Sequence, residues 1–265
     1  MLRYKEYDCT NLFEGSWTNS RLIRGDQALI CPEMNIKLTS KKIIPGYGVY
    51  GVSFNFGEYG QRLIYVGKFQ GEKKRGRFGG NIVTERWRRH LYTISMRGHR
   101  VGCAQSRLKL FHEMIAGLDG GTSFLSALTE EQISRLTEKD VGCQASLNRL
   151  LFSYVARNQL LTGFYSEEED IAQVCGSFKF HYWQVIEEQI ANGFAYEPKL
   201  NLDSVEGPLI AKYSDCLPVN DECKWSREKA KNFNPNDLIE LNSVGFAKLS
   251  SDIEARLENF AASHH

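Results

Sequence analysis

The sequence predicts an α+β fold: a small antiparallel sheet flanked by helices, with a helical insertion. Three observations predict it. Two runs rich in glycine, valine and tyrosine, residues 48–54 and 63–67, flank a turn-rich break at 55–61. Residues 105–161 carry helical apolar periodicity. An amphipathic segment near residues 246–260 follows much later.

The elements follow in order. Residues 1–40 are weakly patterned and read as an N-terminal arm with at most one short helix. Pro45-Gly46 is a turn signal. The runs 48–54 and 63–67, joined by a Gly/Asn-containing break, predict an antiparallel hairpin. Residues 68–80 hold four glycines and five cations and read as a flexible basic loop. Thr84 is placed to cap a helix carrying Glu85, Arg86, Arg89 and His90. Residues 41–101 are thus the first part of a core.

Residues 102–170 form the helical insertion, expected to serve recognition or dimerisation. Within it, Thr129 and Gln132 have capping-box spacing. The segments 129–136 and 144–155 have the order of a helix-turn-helix, but the intervening turn is longer than that motif prefers, and a plain helical insertion is the favoured reading. Residues 171–235 return to the core through the aromatic run 178–183, a helical stretch near 185–191, and a helix that Ser204 caps with Pro208 in its first turn. Residues 236–265 supply a C-terminal helix.

At 265 residues, 42% of them hydrophobic, the chain can bury a real core. No run of 18 apolar residues suggests a membrane span, and the first 20 residues lack the apolar stretch of a secretory signal. The seven cysteines are odd in number and form no CxxC pair, so neither a disulfide framework nor a structural zinc site is expected. The expected setting is reducing and cytoplasmic. The net charge of +1 hides an asymmetry: residues 68–109 hold twelve Lys/Arg against two acids. Such a concentration of cations suits a polyanionic partner, because each neutralised phosphate releases counterions. A solvated helix face beside a charged loop has the same composition.

Gly48-Val49-Tyr50, then Tyr65-Val66-Gly67, then Arg86-Trp87-Arg88-Arg89-His90 stand in the order of the GIY-YIG nuclease motifs. The chain resembles that family over residues 50–100, with a second, shorter likeness at 200–221. The resemblance implies a three-stranded antiparallel core and hydrolysis of DNA phosphodiester bonds. It also implies that Tyr50 or Tyr65 acts as general base or water-positioner, the two being indistinguishable in sequence. Arg86 and His90, four residues apart, can converge on one phosphate from one helix face. A phenol is a poor base near neutral pH unless cations stabilise its phenolate.

The resemblance further implies a glutamate in a late helix as ligand of a single divalent metal, Mg²⁺ or Mn²⁺, and an asparagine after a proline. Two segments qualify. Glu206, followed by Leu209-Ile210 and then by Asn220, fits the spacing better than Glu187/Glu188 followed by Asn201. A lone carboxylate suits Mg²⁺, which keeps its waters and shares phosphate oxygens. Lys73, Lys74, Arg75, Arg77, Arg88 and Arg89 are the candidate contacts to double-stranded DNA. The expected function is therefore a sequence-specific endonuclease of restriction type, working as a homo-oligomer because one such site cuts one strand. The alternatives are a structure-selective or mobile-element nuclease, and a non-catalytic nucleic-acid-binding protein on the same scaffold.

Overall fold

The structure, a computed structural model, describes residues 2–24, 27–39, 44, 46–70, 73–74, 77–78, 81–88, 90–91, 175–185, 202–220 and 233–263. Its strands are β1 (Leu2–Asp8), β2 (Phe13–Arg24), β3 (Gln27–Leu38), β4 (Tyr47–Asn55), β5 (Gln61–Phe69), β6 (Lys73–Lys74), β7 (Arg77–Phe78) and β8 (Phe178–Val185). Among the described residues two full α-helices follow, α1 (Asp203–Tyr213) and α2 (Val244–Ser263). The class is mixed α and β, with an antiparallel sheet and helices. Among the described residues, no helix is long and apolar enough to cross a membrane.

The expected hairpin is β4–β5, closed by a 3₁₀ turn at Gly57–Tyr59. The sheet around it has four strands in the order β1-β8-β4-β5, where three were expected. The fourth comes from the segment read as an arm: β1 pairs with β8 from Leu2↔Val185 to Asp8↔Lys179. Its alternation carries charge rather than apolar residues, so its partner, not its own pattern, defines it as a strand. Residues 13–38 form a separate ribbon, β2–β3.

A β-bulge between Val52 and Ser53 decides what each face of the hairpin presents. The pairing runs Val52↔Tyr65 and then Ser53↔Leu63. Strand side chains alternate, so Leu63 and Tyr65 would ordinarily share a face; the extra residue, Ile64, sends them to opposite ones. Leu63 joins Val49, Val66 and Trp183 in the core against Val205 and Leu209 of α1 and Leu249, Ile253 and Leu257 of α2. Tyr65 joins Tyr50 on the other face.

The two helices are tied to the sheet and to each other by polar contacts. Trp183 Nε1 donates to Ser250 Oγ at 2.7 Å. Tyr213 Oη donates to Asp252 at 2.6 Å, and Lys212 pairs with the same carboxylate. Helix α1 starts one residue before Ser204, over Leu202, with no side-chain cap, and Pro208 lies in its interior rather than in its first turn. Pro208 and Gly207 are both exposed there, on the side away from the core. The expected C-terminal helix is present as α2.

The second face is covered by a helical stretch that starts at Ile82, earlier than Thr84 predicted. Asn81 is the cap: its Oδ1 accepts from Val83 N at 3.2 Å, and Glu85 Oε1 accepts from Asn81 N at 3.0 Å. Thr84 instead donates its hydroxyl to Asn81 O at 3.1 Å. The stretch then widens into a π-turn over Val83–Trp87. Trp87 lies flat on Phe180, with centroids 4.8 Å apart, and meets Tyr7 at 5.2 Å. The segment read as a flexible loop contains a short ladder, Lys73↔Phe78 and Lys74↔Arg77. The helical insertion, the helix-turn-helix order within it, and Arg75, Arg89, Glu187, Glu188 and Asn201 lie outside the described residues.

Candidate active site

On the face away from α1 and α2, three predicted site residues meet. Tyr50 Oη and His90 Nε2 share a hydrogen bond of 2.8 Å. The Tyr65 ring lies 4.4 Å from the His90 ring and 5.7 Å from the Tyr50 ring, centroid to centroid. Tyr50 and His90 are buried, whereas Tyr65 is half-buried. Gly67 lies beneath them. A Cβ there would come within 2.6 Å of Tyr65 Cε1, 2.8 Å of its Oη and 2.9 Å of Tyr50 Cζ. The second triplet ends in glycine because the two phenols converge over its Cα. Gly48 has an equally direct reason, since a Cβ there would stand 1.9 Å from the Trp183 carbonyl oxygen.

The late motif arrives at the same strand from the other side. Strand β5 is the outer strand of the sheet, and distant segments occupy its free edge. Leu241 N donates to Gln61 O, Leu63 N to Ile239 O, and Val219 N to Ile64 O. Next, Asn220 grips Val66 twice: its Oδ1 accepts from Val66 N at 3.0 Å and its Nδ2 donates to Val66 O at 2.7 Å. A side-chain amide here imitates a neighbouring strand, satisfying both backbone groups of an edge residue. Glu206 follows, its Oε1 accepting from Lys68 N at 2.9 Å.

Three consecutive residues of β5 therefore gather the constellation. Val66 holds Asn220, Gly67 underlies the tyrosines with His90, and Lys68 holds Glu206. The competing set, Glu187, Glu188 and Asn201, is outside the described residues.

The Lys68 ammonium adds a feature that residue patterns did not single out. It lies 3.5 Å from Glu206 Oε2 and contacts Asp203, the first residue of α1. Sequence reading counted Lys68 only as one cation of a basic loop. Its signal was its place directly after the triplet glycine, on the strand and not in the loop. The carboxylates of Asp203 and Glu206 already enclose one positive charge at this position, so the donor set suits a cation. Among the described residues no group of three or more His, Cys, Asp or Glu is arranged to hold a metal. One or two carboxylates fit a hard divalent ion that keeps most of its waters.

Arg86 is exposed, four residues before His90. Arg88 is half-buried. Lys73 and Lys74 lie on β6 and Arg77 on β7, so the basic segment between β5 and the Asn81 cap is carried partly on a hairpin.

A second polar network occupies the helix-side face and was not anticipated. Ser53 Oγ and His181 Nε2 share a hydrogen bond of 2.8 Å, and Tyr4 Oη and His181 Nδ1 another of 3.0 Å. Gln61 Nε2 donates to Ser53 Oγ at 2.9 Å. Burial, aided by Lys179, pushes the His181 pKa down to about 3. Ser53 and His181 are fully buried, and the pair joins β4 and β8 to Tyr4 of β1.

Comparisons with family models, with curated proteins and with solved structures found no match.

Proposed function

We propose that this chain is a divalent-metal-dependent DNA endonuclease with a GIY-YIG-like site, of the sequence-specific restriction type. The observation that carries the reading is the gathering of Asn220, the tyrosine–histidine cluster and Glu206 on Val66, Gly67 and Lys68. Tyr50, Tyr65, His90, Glu206 and Asn220 meet along one strand segment, and a phenol pair with a histidine beside a carboxylate suits phosphodiester hydrolysis.

The roles follow from exposure and contact. Tyr65, half-buried, orients the attacking water and, as a phenolate that Arg86 and a bound metal would stabilise, takes up its proton. Tyr50 and His90 stand behind it as a buried hydrogen-bonded pair and fix its place. Arg86, exposed four residues before His90, offers its planar fork to the phosphate. Glu206, with Asp203 beside it, would hold Mg²⁺ or Mn²⁺. When bound, such an ion neutralises charge on the phosphate and acidifies a coordinated water. Asn220 positions rather than reacts, because both ends of its amide are committed to Val66. Lys73, Lys74, Arg75, Arg77, Arg88 and Arg89 supply backbone contacts to duplex DNA. A homo-oligomer would be needed to cut both strands together.

Plasmid DNA incubated with the protein and Mg²⁺, beside Arg86→Ala, tests the reading. Discrete fragments that vanish in the variant support it. Nicking or smearing that depends on Arg86 favours a structure-selective or nonspecific nuclease. Inert lanes for both proteins, with the DNA still bound, favour a nucleic-acid-binding protein without catalysis.

A further inference from the structure

Lys68 contributes to one side of the candidate metal position twice. Its backbone N–H donates to Glu206 Oε1 at 2.9 Å, while its ammonium stands 3.5 Å from Glu206 Oε2 and touches Asp203. The two functions of the residue are separable. The N–H belongs to the edge of β5 and orients the carboxylate whatever the side chain is. The ammonium is a movable charge on a four-carbon stem, and its side chain is about a quarter exposed, so it has a way out to water.

We infer that Lys68 is an internal cation that competes with the divalent metal for the Asp203/Glu206 carboxylates. This rests on the proposed metal role of Glu206. Without metal the ammonium keeps two acids at the start of α1 from repelling each other. With metal, like charges a few ångströms apart cannot share those oxygens, so the ammonium swings away. An exposed phosphate at the rim is where a displaced lysine would find its next partner. The arrangement lowers affinity for metal alone and favours metal that arrives with a phosphodiester, since DNA supplies both extra oxygens for the ion and a new counter-ion for Lys68.

The test is a Mn²⁺ titration of the purified protein without DNA, followed by water-proton relaxation, for wild type, Lys68→Met, Lys68→Arg and Lys68→Met/Glu206→Gln. Methionine keeps the length of the stem and the backbone N–H while removing the charge. The expected result is binding about tenfold tighter in Lys68→Met than in wild type, since one competing charge is gone. Lys68→Arg should bind like wild type, and the double variant should lose the gain. A lysine that merely braced the fold would give the opposite sign, weaker binding in Lys68→Met. Equal or weaker binding in Lys68→Met overturns the inference, as does Lys68→Arg binding as tightly as Lys68→Met. If wild type binds Mn²⁺ and cuts DNA while Lys68→Met shows no gain, only the role of Lys68 falls. If wild type neither binds Mn²⁺ nor cuts, the metal reading falls with it.

Discussion

Tyr50 Oη and His90 Nε2 lie 2.8 Å apart, joining the centre of the sheet to the helical stretch that covers it. The two residues are forty positions apart, and both are buried. Tyr65 packs against the pair from the more exposed side, and this difference in exposure separates the tyrosines where sequence did not.

The separation is measurable. Tyr65→Phe should lower cleavage by about 10²–10⁴-fold, the range for losing a positioned proton acceptor, with stability changed by less than about 0.5 kcal/mol. Tyr50→Phe should cost about 1–3 kcal/mol in thermal unfolding, because it strips a buried imidazole nitrogen of its hydrogen-bond partner. Full activity in Tyr65→Phe would move the base to another group.

Asn220→Ala should destabilise by roughly 2–5 kcal/mol, since two backbone groups of Val66 lose their partner where water has little access. Asn220→Asp should be no better, for a carboxylate cannot donate to Val66 O. Chemical denaturation curves report the loss. An Asn220→Ala protein as stable as wild type would show that another group takes over the edge.

For Gly67→Ala, the added methyl has nowhere to go without moving a phenol. Overpacking of this kind costs typically 1–3 kcal/mol. Cleavage should fall well beyond what that loss of stability explains, because the methyl displaces Tyr65 and Tyr50 together. A crystal structure of the variant with both rings unmoved would contradict the account.

His181 predicts an acid dependence of stability. Its pKa falls from 6.5 to about 3 on folding, so between those values the unfolded chain binds the extra proton. Stability should therefore be lost as pH drops from about 6.5 toward 3, by at most about 1.4 kcal/mol per unit from this group. His181→Gln should flatten the slope in that window. A wild-type slope unchanged by the substitution would assign the acid sensitivity to the carboxylates instead.

What was legible in the sequence is what is local. Residues 50, 65, 67 and 90 lie within one short span, and a hairpin followed by a helical stretch brings them together. The sheet beyond the hairpin was less readable. Strand β8 is buried along nearly its whole length, so its FKFHYWQV run shows no alternation, while β1 shows alternation without an apolar face. The helix cap was misplaced because Asn81 and Thr84 are both good caps, and only the Asn81 contact to Ile44 N at 3.4 Å, from a distant segment, separates them. Glu206 and Asn220 could be ranked but not located, since their place depends on the edge of β5, which no spacing encodes. Lys68 was overlooked because composition assigns a cation to a loop more readily than to a carboxylate 138 residues away.

The order β1-β8-β4-β5 has a consequence for how the molecule comes into being. Strand β8 pairs with both β1 and β4, yet about 120 residues separate the end of β4 from its start. At ordinary rates of synthesis, β1 waits on the order of ten seconds for β8, the strand it pairs with among the described residues. Over that interval the nascent chain has its hairpin but lacks Glu206 and the cover of the β5 edge. The tyrosine–histidine cluster and the acid and amide that flank it are thus assembled in two instalments, the hairpin first and the partners of its outer edge well over a hundred residues later.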